Sequence, residues 1–303
     1  MIFSKTYLKL HWIIFLNSLI PIILILITLA PFEILFYRTL IAAFLLKVWF
    51  IIKKSNQDID YVAKLKLIGS GFLVFCFWGL SFLCVKMSTA SVYLVSLATS
   101  PIWISLMQNI ENPQRRQPFQ FLTSLNATMG IYIIYNSDFQ HGIGMAIGIA
   151  AAFFGSLLTI TSSHFSKHYP ALVVTYYQMG GSWLASLIFL PVYILVFDFS
   201  FNFTPSFTDI SLVGLLAFTF SIYAYSVFIG VMKTISPFVV ALVSNLSPLY
   251  GILIALLVFG KDEKMNIGFY IGGFLILTSV FSYPVLINYM KSYASKKQKR
   301  TRT

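Results

Sequence analysis

Residues 86–106 read KMSTASVYLVSLATSPIWISL, and residues 233–253 read KTISPFVVALVSNLSPLYGIL. Each stretch opens on Lys, reaches a Ser-Pro step fifteen residues on, and follows Pro with an apolar residue and an aromatic: Ile102-Trp103 and Leu249-Tyr250. The offset between them is 147 residues. A second pair echoes in the same way. APFEILFYRTLIA begins at Ala30 and YPALVVTYYQMGG at Tyr169, each with a Pro followed by Tyr-Arg or Tyr-Gln seven or eight residues later.

The chain around these stretches is 303 residues long, 58% hydrophobic and 10% charged, with mean hydropathy +0.84. Soluble domains carry about a quarter charged residues, so this chain could not cover a soluble surface. Its apolar residues come in long runs, and a helix of roughly 20 apolar residues crosses a bilayer because it satisfies its own backbone. An all-α integral membrane protein is therefore expected, with ten spans near 10–29, 31–52, 66–85, 89–109, 119–136, 142–163, 170–197, 210–231, 236–259 and 267–289. The first span is read as retained, because MIFSKTYLKLHWIIFLNS has no small-residue cleavage site. The net charge of +12 is no nucleic-acid signal, since the basic residues sit in short polar gaps and in the tail KSYASKKQKRTRT. Cys76 and Cys84 lie in one apolar run and read as buried thiols.

Those basic residues orient the chain. With the N-terminus in the cytoplasm, 17 of the 21 Lys and Arg fall inside, Lys86, Lys261 and Lys264 fall outside, and Arg38 lies within a span. Both termini are expected inside, in a multi-pass protein of the cell (inner) membrane. The two similar stretches then cross the bilayer in opposite directions. Five spans is an odd number, so a duplicated five-span unit inserts upside down. The expected units are 1–136, an inverted second copy at 137–290, and a basic cytoplasmic tail at 291–303. Inverted repeats suit a carrier, because two mirrored halves can rock about a shared site.

At these residues the chain resembles the EamA-type transporters of the drug/metabolite transporter superfamily. The likeness lies in PFEILFYRTLIAA, in VKMSTASVYLVSLATSP and in the stretch from VMKTISPFVV through GKDEKMNIGFYIGGFLILTSV, and it covers nearly the whole chain. Two stretches depart from the family pattern: FLNSLIP where a Trp-Gly pair is usual, and GKDEK where Gly-Glu-Arg is usual. The resemblance implies ten helices in two inverted five-helix repeats and a secondary transporter of small organic metabolites, with amino acids or related compounds the leading class and export or exchange the leading direction. The alternative is an uptake carrier or facilitator for a nucleotide-related or sugar-phosphate compound. A proton or counter-solute is a candidate coupling partner, and the protein is expected as a monomer or homodimer in the lipid bilayer.

Charges inside a bilayer are costly, so each is a candidate by default. Arg38 is seven residues past Pro31, about 10 Å deep. It reads as a clamp for a solute carboxylate or phosphate, or as a structural or snorkelling residue. Glu33 lies in the same span, five residues away and off its face. Gln178 matches Arg38 in the second half, beside Tyr177. Thr99 and Asn245 precede Pro101 and Pro248, and read either as cavity lining or as contacts between helices. Trp78, Tyr223 and Tyr225 lie inside spans, where aromatic rings face a cavity or pack. Gly144/Gly148 and Gly268/Gly272 are Gly-x-x-x-Gly pairs that imply close helix contact. The histidines, His11 included, read as interfacial and form no metal cluster. No cofactor is expected. No H-E-x-x-H, G-x-S-x-G or paired intramembrane aspartates support an enzyme, and no charged ring supports a channel.

Reporter fusions at Lys54, Asn112, Phe203 and the tail should read inside, inside, outside and inside. A tail on the outer side would overturn both the span count and the inverted-repeat reading.

Overall fold

The computed structural model describes residues 5–54, 59–88, 90–111, 118–135, 142–195, 199–247, 249–250 and 267–300. Among them, every regular element is helical. Five helices are long and apolar enough to cross a membrane: α3 (Pro31–Ile52), α4 (Tyr61–Met87), α8 (Gly142–His168), α9 (Ala171–Leu195) and the continuous Phe207–Val231. The last consists of α10 (Phe207–Leu215), a π-helical segment (Leu216–Ala224) and α11 (Tyr225–Val231). The shorter or less apolar elements are α1 (Lys5–Asn17), α2 (Ile20–Leu26), α5 (Ala90–Leu97), α6 (Ser100–Glu111), α7 (Pro118–Tyr135), α12 (Pro237–Ser244) and α13 (Ile267–Arg300). Large apolar side chains on the outer surface, among them Phe44, Ile52, Ile188, Phe218 and Phe274, are more than half exposed and suit contact with lipid. The chain is a multi-pass membrane protein.

Three of the expected spans are not single helices, and each breaks at the same distance from a proline. The turns at Ser18-Leu19, Ala98-Thr99 and Asn245-Leu246 begin three residues before Pro21, Pro101 and Pro248. Proline removes a backbone donor, clashes with the carbonyl four residues back and disfavours helix in its predecessor. Pro191, one turn from the end of α9, is accommodated within that helix. The expected last span also runs further than 289, continuing as helix to Arg300. Pro248 itself and residues 251–259 of the expected ninth span lie outside the described residues, as do Asn136 and the expected loops around 113–117 and 137–141.

Small residues set how closely the helices pack. α4 lies between α8 and α9, and α9 also packs on α3. A Cβ added to Gly71 would sit 2.5 Å from the Gln178 carbonyl and 2.6 Å from Gly181, so α4 and α9 touch backbone to backbone there. Gly144 and Gly148, one Gly-x-x-x-Gly pair, serve contact within the fold. Their added Cβ atoms would lie 2.5 Å from Ser88 Cβ and Ser96 Oγ. In the other pair, Gly272 presents its carbonyl to Gly130, where an added Cβ would approach to 2.6 Å. Beside that contact, Asn126 Nδ2 donates to the Leu275 carbonyl at 3.1 Å and to Ser279 Oγ at 2.8 Å, fixing α7 against α13.

Gly181→Ala drives a methyl group into the backbone of Ile68, and overpacking of this kind costs about 1–3 kcal/mol or more. Its thermal midpoint in detergent should fall clearly below that of the wild type. Gly180→Ala, with nothing within 4 Å of the new atom, should match wild type; equal midpoints for the two variants would refute the close contact.

Candidate functional site

Arg38 is placed by α3, which starts cleanly at Pro31 and carries the side chain inward to a position 2% exposed. Its Nε donates to Ser221 Oγ of the π-helical segment at 2.6 Å. The guanidinium carbon lies 4.1 Å from the centroid of the Trp78 ring and 5.9 Å from that of Phe82, both on α4. Tyr93 of α5 is a further close neighbour. Among the described residues no carboxylate pairs with Arg38, and Nε is the guanidinium nitrogen with a hydrogen-bond partner. The cation is held by a π face and one hydroxyl, and the outer fork of its donors is left uncommitted.

Trp78 links this group to a second one. Its ring meets Tyr225 edge-on, with centroids 5.7 Å apart. The Tyr225 hydroxyl donates to Gln178 Oε1 at 2.8 Å. Gln178 Nε2 in turn donates to Ser70 Oγ at 3.1 Å and Ser162 Oγ at 3.0 Å. Gln178 is fully buried with both ends of its amide occupied. The whole network runs Ser221–Arg38–Trp78–Tyr225–Gln178 and joins α3, α4, α8, α9 and the α10–α11 helix. Tyr177, next to Gln178, is partly buried against the core and stacks edge-on with Tyr176 at 5.0 Å.

Tyr223 is turned the other way, 46% exposed, whereas Tyr225 is 9% exposed and inside the network. Two positions on a helix are about half a turn apart, so only one of these tyrosines can face inward. Composition offers no way to choose between them.

Glu33 has a separate role in this conformation. Its Oε2 accepts from the Ala30 amide at 2.8 Å, capping α3, and its Oε1 accepts from the Asn202 amide at 2.6 Å. Tyr37 donates to the Asn202 carbonyl at 2.7 Å. Phe201 is thereby seated against Phe36 at 5.3 Å and Tyr37 at 5.8 Å. Sequence reading passed over a second carboxylate here. Asp209 accepts from the Thr28 amide and hydroxyl, each at 2.8 Å, and from Ser206 Oγ at 2.6 Å, tying the end of α2 to the start of α10. The signal was present as Ser206 and Asp209 at the spacing of a helix start.

Thr99 and Asn245 lie at the breaks of the fourth and ninth expected spans, and the structure brings those breaks together. Asn245 Nδ2 donates to the Ala98 carbonyl at 3.4 Å, a carbonyl that also accepts from Thr128 Oγ1 at 3.0 Å. Thr99 Oγ1 donates to the Ser96 carbonyl at 2.6 Å, and Ser156 Oγ to the Ser100 carbonyl at 3.0 Å. Side chains thus take up carbonyls around the interrupted helix, as a low-dielectric setting demands. Asn245 and Ala98 are 147 residues apart, and so are Tyr225 and Trp78.

Residues 142–283 match the model of the EamA-like transporter family. No curated protein matches the chain. Among solved structures, one crystal structure of a protein superposes with a TM-score of 0.72 at 15% identity, over 93% of this chain and 99% of that one. At that identity the likeness concerns the fold alone.

Tyr225→Phe removes a donor to a buried amide oxygen, a loss worth about 1 kcal/mol in a membrane interior. Tyr223→Phe removes a hydroxyl from an exposed face. Thermal unfolding in detergent should therefore separate them, with Tyr225→Phe the less stable; the reverse order would contradict the network.

Proposed function

We propose, from the EamA-like transporter region at residues 142–283, that the chain is a secondary carrier of small organic carboxylates, amino acids and related compounds first among them. The observation that carries this reading is the buried Arg38 with no carboxylate partner among the described residues. A cation in a low-dielectric interior is costly unless it is paired. A solute carboxylate supplies the missing charge, and the planar fork of a guanidinium matches it in two hydrogen bonds. Trp78 and Phe82 hold the guanidinium in place and offer apolar surface beside it.

The same fork binds a phosphate, which would suit a nucleotide-related or sugar-phosphate solute. The setting favours the carboxylate. Among the described residues Arg38 is joined in its network by hydroxyls, an amide and aromatic rings, with no second cation. One positive charge balances a carboxylate more nearly than a phosphate dianion.

Alternating access about a pseudo-two-fold axis fits the contacts. Residues related by such an axis touch only where they lie beside it. The 147-residue offset of the repeated Lys-to-Pro stretches is also the offset of the Trp78/Tyr225 and Ala98/Asn245 contacts. Arg38 over Trp78 has its counterpart in Gln178 bonded to Tyr225. These pairs support two inverted five-helix units, 1–136 and 137–290. The charge bias of the polar gaps supports cytoplasmic termini and an inner-membrane location, with Glu33 and Asn202 closing the outer end. Trp78, Gln178, Asn245 and Thr99 are assigned to the walls of the path, with Tyr177 at its margin, while Tyr223 faces away from it.

Arg38→Lys keeps the charge and loses the fork. A lost charge-assisted hydrogen bond is worth about 1.5–3 kcal/mol. Counterflow of labelled amino acids in proteoliposomes should therefore fall roughly tenfold to a hundredfold, at normal membrane yield. The amide analogues, which lack the carboxylate, should not exchange. Wild-type rates in Arg38→Lys, or equal exchange of amides and acids, would sink the reading.

A further inference from the structure

His11 of α1 lies outside the network just described. It borders a small cavity of about 30 Å3 with Tyr7, Val239, Leu242, Val280 and Tyr283, between α1, α12 and α13. That volume holds about one water molecule. His11 Nδ1 is 2.7 Å from the Tyr250 hydroxyl, and the two rings meet edge-on with centroids 6.4 Å apart. Phe15, one turn along α1, packs on the other part of Tyr250 at 6.1 Å. His11 thus borders the cavity and also bonds Tyr250, just beyond the Asn245 break that ends α12.

The groups around the imidazole are unusual for a histidine that would carry a charge. From α1 itself, Tyr7 lines the cavity, while Lys5 and Lys9 are exposed. α12 contributes no titratable side chain, and α13 contributes Tyr283, whose hydroxyl accepts from Gln120 of α7 at 3.0 Å. The π-helical segment and α11, which also pack on α1, contribute Tyr223 and Tyr225, and Lys233 follows α11. None of these elements contains an Asp or Glu.

We propose that His11 is a proton-binding site that gates the gap between α1 and α12. The neutral ring accepts the Tyr250 hydroxyl hydrogen at Nδ1, which leaves the cavity free to close on its valines and leucine. A proton taken from water occupies Nδ1, and that nitrogen can no longer accept. The imidazolium then faces apolar side chains and tyrosines with no carboxylate to neutralise it, and burying such a charge is unfavourable. Its stable setting is a hydrated one, so protonation separates α1 from α12 and admits water. Histidine alone among side chains titrates near neutral pH without perturbation, which suits a gate answering to a physiological gradient. In the carrier reading above, on which its biological use rests, the gate would link opening at this end to protons.

The test needs no transported solute, so it stands or falls apart from the carrier reading. Val239→Cys is introduced into the full chain carrying Cys76→Ser and Cys84→Ser, reconstituted in lipid vesicles. Its labelling by a charged, water-soluble methanethiosulfonate is followed between pH 8 and 5.5. Over that range the protonated fraction of an ordinary histidine rises about thirtyfold. After correction for thiolate content, measured on the same cysteine in unfolded protein, labelling should rise about tenfold with His11 present. In His11→Gln it should not vary with pH. A separate variant, Tyr250→Phe, leaves the imidazole in place and removes the bond that holds the gap shut, so its labelling at pH 8 should exceed that of the parent. The proposal is overturned if His11→Gln keeps the parent's pH profile, if the parent shows no rise, or if Tyr250→Phe labels at the parent's rate at pH 8.

Discussion

A buried guanidinium resting on a tryptophan face is the contact around which the rest of this molecule is arranged. Arg38 is 2% exposed, and its partners are Ser221 and the ring of Trp78. An arginine so placed costs free energy unless something compensates it. Among the described residues the protein provides a polarizable face and one hydroxyl. Trp78 then passes order onward, because its position is fixed from the other side by Tyr225 and through it by Gln178, Ser70 and Ser162.

This arrangement relies on helices of two kinds. α4, α8 and α9 are long; α4 and α9 meet backbone to backbone at Gly71 and Gly181, and α8 presents Gly144, Gly148 and Gly155 to the side chains of Ser88, Ser96 and Phe77. Other segments are interrupted before Pro21, Pro101 and Pro248, and of these α5 and α6 pack on α8. α1 and α2 carry no glycine, so they cannot approach their neighbours as α8 approaches α4. The cavity beside His11 is bordered by α1, α12 and α13.

The starts of α3 and α10 are each fastened by a carboxylate that does no work in the network, Glu33 and Asp209. Glu33 accepts from the Ala30 and Asn202 amides, Asp209 accepts from the Thr28 amide and hydroxyl and from Ser206 Oγ, and together they hold the 199–206 stretch and the end of α2 over the bundle. A carboxylate near a helix start is favoured by the unpaired amides and the dipole there. That local preference fixes the tertiary closure, since each carboxylate also accepts from a distant chain segment, Glu33 from Asn202 and Asp209 from Thr28.

Much of this was written in the sequence. Apolar runs of membrane length determined a helical membrane protein, the spread of Lys and Arg suggested its orientation, and prolines marked three helix breaks, because each of these follows from local backbone chemistry. Arg38 and Gln178 stood out for the same reason, as polar groups where a bilayer penalises them. The repeated Lys-to-Pro spacing pointed to related halves, but not to which residues meet. Only the tertiary structure decided that Arg38 bonds Ser221 and lies over Trp78, that Tyr225 faces inward while Tyr223 faces out, that Glu33 is spent on backbone amides, and that His11 meets Tyr250 across 239 residues. The reason is physical: helix rotation and the pairing of distant segments are set by how all the faces pack together. In a chain where nearly every position is apolar, one face of a helix reads much like another.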